Sequence, residues 1–246
     1  MRTRKLIRFQ LLQGRTRLLV SLCAAIIFLT GLQLVVQVVA HETVNLSASL
    51  VYWNVLFLCF VGLFGGESWT FFGLQNGVSR RNTLRAVLCS SAGFAAVGVL
   101  AEAIWWGVQQ LFGNQSIGLL SYFGYTGQWP LVVMVLNVVA LWLLYSMAVL
   151  LGYCLSLLKL RMDGNQRGLM VYIWLITAVG IMLVNWVPRV LMGSGNAMNW
   201  LQLLVNVPAV GPLLLVGLFL GLGAVFASAL WLLLRKLDLH AAAGVK

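Results

Sequence analysis

The chain has 246 residues, of which 61% are hydrophobic and 9% charged, with a formal net charge of +11 and a mean hydropathy of +0.96. Soluble domains are about half apolar and about a quarter charged, so this composition excludes an ordinary soluble protein and indicates an integral membrane protein. A transmembrane helix needs roughly 20 mainly apolar residues. Six runs qualify, at about 18–40, 49–65, 86–111, 129–158, 169–189 and 207–234. We predict an all-α, polytopic membrane protein in which residues 1–246 form a single transmembrane domain.

The N-terminal segment, residues 1–17, is basic and precedes the first predicted span. Its Arg4, Arg8 and Arg15 are spaced by four and seven residues, which places them on one face if the segment is helical. The apolar residues of the segment are spread around such a helix. Two interpretations therefore stay open, an interfacial helix along the inner leaflet and a plain basic anchor.

The lysines and arginines predict the orientation of the chain. All but one of the 16 fall before the first span, in the connections after spans two and four, or after span six. Because basic residues prefer the cytoplasmic side, we expect both termini to be cytoplasmic. The exception is Arg189, at the outer end of the fifth span. Charges scattered over short loops suit a lipid bilayer better than nucleic acid, and we expect no nucleic-acid partner.

The connection between spans two and three, residues 66–85, contains a helix break. Phe71, Leu74 and Val78 recur at helical spacing and form one narrow apolar face. Gly77 suits the left-handed residue that ends a helix, and Ser79 suits the N-cap of the next helix. We predict a short helix on the cytoplasmic surface followed by a sharp re-entry. That helix either rests in the headgroups or docks its apolar face on a cytoplasmic partner.

The stretch GVSRR, from Gly77 to Arg81, together with the six-span layout, resembles the membrane subunit of a type-2 ATP-binding-cassette (ABC) exporter. The resemblance implies a permease of a bacterial cell membrane that pairs with a second copy or a homologue and with cytoplasmic ATPase subunits. It implies that the second connection carries a coupling helix whose side chains contact the ATPase: Glu67, Phe71, Leu74, Gly77, Val78, Ser79, Arg80 and Arg81. It further implies that the external segment 190–206 folds back as re-entrant helices; an ordinary interfacial segment is the alternative.

The sequence carries no complete enzyme signature. No lysine follows a glycine, so the GxxxxGK[ST] loop that binds ATP is missing, and there is no HExxH. We therefore expect no catalytic, cofactor-binding or metal-binding residue in this chain, with ATP and Mg²⁺ bound by the partner ATPase. The few polar residues in the spans favour a lipid-like, amphipathic, peptide or drug cargo. The alternative function is a non-transporting scaffold or regulatory subunit that recruits a soluble partner.

Two features within the spans carry structural predictions. Glu102 lies about 16 residues into the third span, and a charge in the bilayer is costly, so it should face protein or water. It is either a solvated carboxylate near the outer headgroups or the ion-pair partner of Arg189. Gly217 and Gly221 form a small-xxx-small pair, which predicts a close helix contact within the chain or between two permeases.

Overall fold

The computed structural model describes residues 3–15, 20, 47–111, 131–162 and 211–235. Regular secondary structure in this part of the chain is entirely α-helical, which confirms the all-α prediction for these residues. The helices are α1 (3–15), α2 (Ser47–Gln75), α3 (Arg80–Leu111), α4 (Leu131–Met162) and α5 (Gly211–Arg235). The predicted first and fifth spans, Arg189 and the segment 190–206 lie outside the described residues.

Helices α2 to α5 each contain a stretch long and apolar enough to cross a membrane. These stretches are Trp53–Gln75, Arg80–Val108, Leu131–Leu160 and Pro212–Arg235, and they correspond to predicted spans two, three, four and six. Helix α4 lies at the centre of the described bundle and packs against α2, α3 and α5. Its Leu141, Tyr145 and Tyr153 are fully buried. Helix α5 is the most peripheral, with only 17% of its most apolar window buried.

Helices α2 and α4 cross at very close range through small residues. A Cβ atom added to Gly62 would overlap the backbone of α4, lying 2.9 Å from the amide nitrogen of Tyr153. A Cβ atom added to Gly152 would likewise lie 2.8 Å from the amide nitrogen of Leu63 on α2. The small residues repeat at four-residue spacing on both helices, with Gly62 and Gly66 on α2 and Gly152 and Ser156 on α4. This is the small-xxx-small pattern that allows two membrane helices to approach backbone to backbone.

Helix α1 runs lengthwise in the groove between α2 and α3. The contacts between α1 and α3 follow the same order along both helices. From one turn to the next they are Leu6 with Ala86, Gln10 with Ser90, and Gly14 with Phe94. Both helices therefore run in the same direction, and α1 does not lie across the spans as expected for a helix resting on the membrane surface. The reason is that its polar side chains find partners within the bundle. Ser90 donates to Gln10 at 2.8 Å, and the Trp69 indole N–H donates to Gln13 at 2.9 Å.

Helix α2 continues without a break to Gln75, so the predicted separate helix after span two is wrong. Two polar residues lie beyond the predicted end of the span at residue 65, Glu67 and Thr70, and both have partners within the helical bundle. Glu67 lies 3.9 Å from the Lys159 ammonium of α4. The Thr70 hydroxyl donates to the carbonyl of Gly66 and also contacts the Tyr153 hydroxyl. Since both polar groups have partners, α2 can continue as a helix past Glu67 and Thr70.

Candidate functional site

The turn between α2 and α3 ends α2 with a Schellman motif. Gly77 has a φ of 66°, in the left-handed region that favours glycine. Its N–H donates to the carbonyl of Leu74 at 3.0 Å, and the N–H of Val78 donates to the carbonyl of Gly73 at 2.9 Å. These are the two hydrogen bonds that define the motif. The prediction that Gly77 ends the helix is confirmed.

The same turn starts α3 with a hydroxyl cap. The amide of Asn82 donates to the Ser79 hydroxyl at 3.3 Å, and the amide of Thr83 donates to the Ser79 carbonyl at 2.9 Å. The side-chain bond satisfies a helix N–H that has no partner inside the helix, so Ser79 is the N-cap as predicted. Two long helices are thus joined by only four residues, 76–79, in one defined geometry.

The apolar face that was predicted to dock on a partner packs against other residues of the same chain. Val78 is 6% exposed and packs with Leu6 of α1 and Ala86 of α3. Phe71 and Leu74 are half-buried and pack against the main core of the bundle. Leu6 of α1 packs beneath the turn and covers Val78, so this side chain is not part of an exposed face. Whether the half-buried Phe71 and Leu74 contact a partner stays a prediction.

Two of the charged residues predicted for coupling make contacts within the chain. The Arg80 guanidinium donates to the carbonyl of Arg235, at the last residue of α5. A cation at this position is favourable because the C-terminal end of a helix carries partial negative charge. Glu67 pairs with Lys159, and both side chains are nearly half exposed. Arg81 is exposed.

The solvent-facing surface of the turn is polar. We call residues 75–81 the hairpin tip; its exposed members are Gln75, Asn76, Gly77, Ser79 and Arg81. The side-chain amide of Asn76 donates to the carbonyl of Phe72 at 2.7 Å, and the residue is exposed. Gln75 and Asn76 were not among the residues predicted for docking. Their position directly before Gly77, the predicted helix end, was the signal that could have identified them.

The hairpin tip lies at the basic end of the bundle. The ends of α2, α4 and α5 and the start of α3 meet there, and they carry Arg80, Arg81, Arg85, Lys159 and Arg235. Among the described residues, the opposite ends of these helices carry no lysine or arginine. This distribution agrees with the one used to predict which side of the membrane is cytoplasmic.

A second polar site lies inside the bundle, where α2, α3 and α4 meet. Glu102 is 1% exposed, so it is not a solvated carboxylate. Its Oε2 accepts from Asn54 Nδ2 at 3.2 Å and from the Tyr145 hydroxyl at 3.1 Å. Among the described residues, Glu102 is therefore bound by hydrogen bonds from Asn54 and Tyr145. Its predicted ion-pair partner, Arg189, lies outside the described residues. Sequence reasoning missed Asn54 and Tyr145; an asparagine inside an apolar span was the available signal.

The glycine pair predicted for packing does not pack within the described chain. Gly217 and Gly221 are exposed on α5, and no described atom lies within 4 Å of the position of an added Cβ at either residue. A contact with a second permease stays a prediction. The close glycine contacts occur instead at Gly62 and Gly152, in the crossing of α2 and α4.

The chain matches no protein-family model, no curated protein and no solved structure. Its function is therefore inferred from the hairpin tip, the outward face of α5 and the resemblance of the GVSRR stretch.

Proposed function

We propose that the chain is the permease subunit of an ATP-driven type-2 ABC exporter in a bacterial cell membrane. In this proposal six helices span the membrane and both termini are cytoplasmic. The permease forms the translocation path with a second copy or a homologue. Cytoplasmic ATPase subunits, which bind ATP and Mg²⁺, drive the cycle by pushing on the hairpin tip. Four apolar helices of spanning length and the GVSRR stretch at an exposed turn support the proposal.

The observation that carries the proposal is that hydrogen bonds and packing connect the hairpin tip to four helices. The Schellman motif and the Ser79 cap fix it to α2 and α3. Leu6 of α1 packs beneath Val78, and Arg80 binds the last carbonyl of α5. A displacement applied at the tip is therefore transmitted to four helices at once. Energetic coupling needs such a contiguous, rigid connection between the partner surface and the transport path.

The chemistry of the tip indicates how an ATPase would bind it. The exposed groups are two side-chain amides, one hydroxyl and the Arg81 guanidinium. These groups fit a partner cleft that offers carbonyl or carboxylate acceptors, because charge-assisted hydrogen bonds from arginine are geometrically specific. The docking surface proposed here is thus polar and consists of Gln75, Asn76, Ser79 and Arg81. It replaces the apolar face of Phe71, Leu74 and Val78.

The outward surface of α5 suits a second permease and an apolar cargo. Large apolar side chains cover it, and the glycine pair Gly217 and Gly221 leaves a shallow depression among them. In a bilayer, helices associate through close packing at small residues. We therefore place the contact between the two permeases on this face. A path lined by such surfaces favours a lipid-like or amphipathic cargo over a sugar or an ion.

Copurification from membranes tests the proposal. Full-length protein is isolated in mild detergent, and copurifying proteins are identified by mass spectrometry. We expect an ATPase with a P-loop, and we expect Arg81→Glu to reduce its recovery strongly. Arg85→Glu is the matched control, because Arg85 is also exposed but lies one turn further along α3. Leu74→Asp is a poorer test since Leu74 packs against the core.

Two results separate the proposal from its alternative. Reconstitution of the copurified complex in lipid vesicles should give ATP-dependent movement of a fluorescent lipid. If the ATPase binds through the tip but ATP drives no movement of any amphipathic cargo, the chain is a scaffold or regulatory subunit. If Arg81→Glu and Arg85→Glu recover equal amounts of ATPase, the hairpin tip is not the docking surface.

A further inference from the structure

A groove of about 640 Å³ runs along α1, between this helix and α3. On one side it is lined by the outward face of α1, which includes Arg4, Arg8, Leu11, Leu12 and Arg15. On the other side lie Gly93, Phe94 and Val97 of α3. Gly93 allows the two helices to stay close, because a Cβ there would lie 3.1 Å from the Leu11 side chain. The groove is not used by the hairpin tip or by the Glu102 site.

The charge of the groove is positive and unpaired within the described chain. Arg4, Arg8 and Arg15 are all exposed, and the ion pair formed by described residues lies elsewhere, between Glu67 and Lys159. The arginines are four and seven residues apart, so they share one helical face. At roughly 1.5 Å per residue, they form a positive line about 16 Å long. Such a line is suited to an anionic group.

The walls between and opposite these arginines are apolar. Leu11 and Leu12 lie between Arg8 and Arg15, and Val97 faces them from α3. Because α1 runs beside the first turns of α3, the groove leads from the basic end of the bundle towards its apolar middle. Val97 lies 12 residues beyond Arg85, or roughly 18 Å further along the helix. The groove therefore carries Arg4 and Arg8 near its basic end, and apolar side chains together with Arg15 further along.

We propose that this groove binds one anionic phospholipid. Its phosphate contacts the guanidinium groups of Arg4 and Arg8, and one acyl chain extends over Leu11, Leu12 and Val97. Arg15 adds its charge by directing the guanidinium back towards the headgroup while its aliphatic stem covers apolar surface. Guanidinium groups recognise phosphate with paired hydrogen bonds, and basic segments beside spanning helices attract anionic lipids. A free acidic peptide would satisfy the charges and leave the apolar walls uncovered.

Such a lipid would stabilise the position of α1 against α3. Since Leu6 of α1 packs beneath Val78, the lipid would also hold the hairpin tip in place. The composition of the inner leaflet would then regulate the stiffness of the tip. This consequence does not depend on which partner binds the tip.

The test uses full-length protein purified in a neutral detergent, with phosphatidylglycerol, phosphatidylcholine, glycerol phosphate and inorganic phosphate as probes. Native mass spectrometry counts bound lipids, and thermal unfolding gives the affinity. We expect one retained phosphatidylglycerol, with little effect of the other three probes. Each arginine near a membrane surface contributes about a fivefold change in affinity, so Arg4→Gln with Arg8→Gln should weaken binding about 25-fold.

Two controls make the result decisive. Arg81→Gln with Arg85→Gln removes the same charge from exposed positions outside the groove and should leave phosphatidylglycerol binding unchanged. Leu12→Asn alters an exposed apolar wall and should weaken binding of long-chain lipid more than that of a short-chain analogue. The proposal is overturned if both double variants weaken binding equally, if phosphatidylcholine binds as well, or if glycerol phosphate or inorganic phosphate stabilises the protein as much as phosphatidylglycerol.

Discussion

Replacing Gly152 with alanine should destabilise the bundle, although the change adds only one methyl group. The new Cβ would overlap the carbonyl oxygen of Cys59 and lie 2.8 Å from the amide nitrogen of Leu63. Both are backbone atoms of α2, so no side-chain rotation can relieve the clash. The two helices must move apart along their whole crossing, which includes the next contact of Gly66 with Ser156.

The expected change in the free energy of unfolding for Gly152→Ala is the balance of two opposing effects. Alanine stabilises a helix interior by about 1 kcal/mol relative to glycine. Forcing an extra group into a well-packed site costs about 1–3 kcal/mol, and the upper end applies where rigid backbones must separate. We therefore expect a net loss of about 1–2 kcal/mol in the free energy of unfolding. For a chain of this size, 1 kcal/mol changes the unfolding midpoint by about 2–4 °C, so the midpoint should fall by about 2–8 °C.

Far-UV circular dichroism during heating in detergent measures this midpoint. Gly217→Ala is the matched control, because it makes the same chemical change on α5 with no described atom within 4 Å of the new Cβ. Its midpoint should be unchanged or slightly higher. Gly62→Ala should resemble Gly152→Ala, since it meets the α4 backbone in the same crossing. The stability loss of the double variant should be smaller than the sum of the two single losses, because one separation of α2 from α4 relieves both clashes.

Two results would contradict a crossing of α2 and α4 at backbone contact. The first is a Gly152→Ala midpoint equal to or above that of Gly217→Ala. The second is strict additivity of Gly62→Ala and Gly152→Ala. Either result means that α2 and α4 do not cross at backbone contact. The higher helix propensity of alanine would then determine the change in the unfolding midpoint.

The remaining predictions concern polar contacts, and each is measured by the same unfolding assay. Ser79→Ala removes the acceptor for the Asn82 amide and should cost about 1 kcal/mol, whereas Ser79→Asp should retain the cap; equal losses would contradict the capping role. Tyr145→Phe removes a donor from the buried carboxyl of Glu102 and should cost about 1–3 kcal/mol, so an unchanged midpoint would argue against the hydrogen bond. Lys159→Gln should cost less than about 1 kcal/mol because its ion pair is nearly half exposed, and a larger loss would contradict that exposure.

Local features of the fold were predictable because they depend on neighbouring residues alone. The left-handed glycine and the hydroxyl cap lie two residues apart, and both Gly77 and Ser79 take the predicted roles. The length of an apolar run is also a local property, so four of the predicted spans have counterparts among the described helices. Helix continuity was less predictable, because Glu67 pairs with a residue of another helix, Lys159.

Contacts between distant segments could not be read from the sequence. Glu102 receives hydrogen bonds from residues 48 and 43 positions away, and no local pattern specifies which polar side chains will meet it. The small-residue rule was applied to Gly217 and Gly221, whereas the close packing among the described residues occurs at Gly62 and Gly152, because the rule describes what can pack and not what does. The contact of Val78 with Leu6 of α1 was not predictable either, since the course of α1 depends on contacts with two other helices.

Site-specific photo-cross-linking in intact membranes shows directly whether an ATPase binds the hairpin tip. A photoreactive amino acid is placed at Asn76 in the hairpin tip and, as a control, at Gly107, which is exposed near the opposite end of α3 with no described atom within 4 Å of an added Cβ. We expect a covalent adduct with a P-loop ATPase from position 76 and none from position 107. An Asn76 probe that labels only lipid, or an ATPase captured equally from both positions, would contradict this binding.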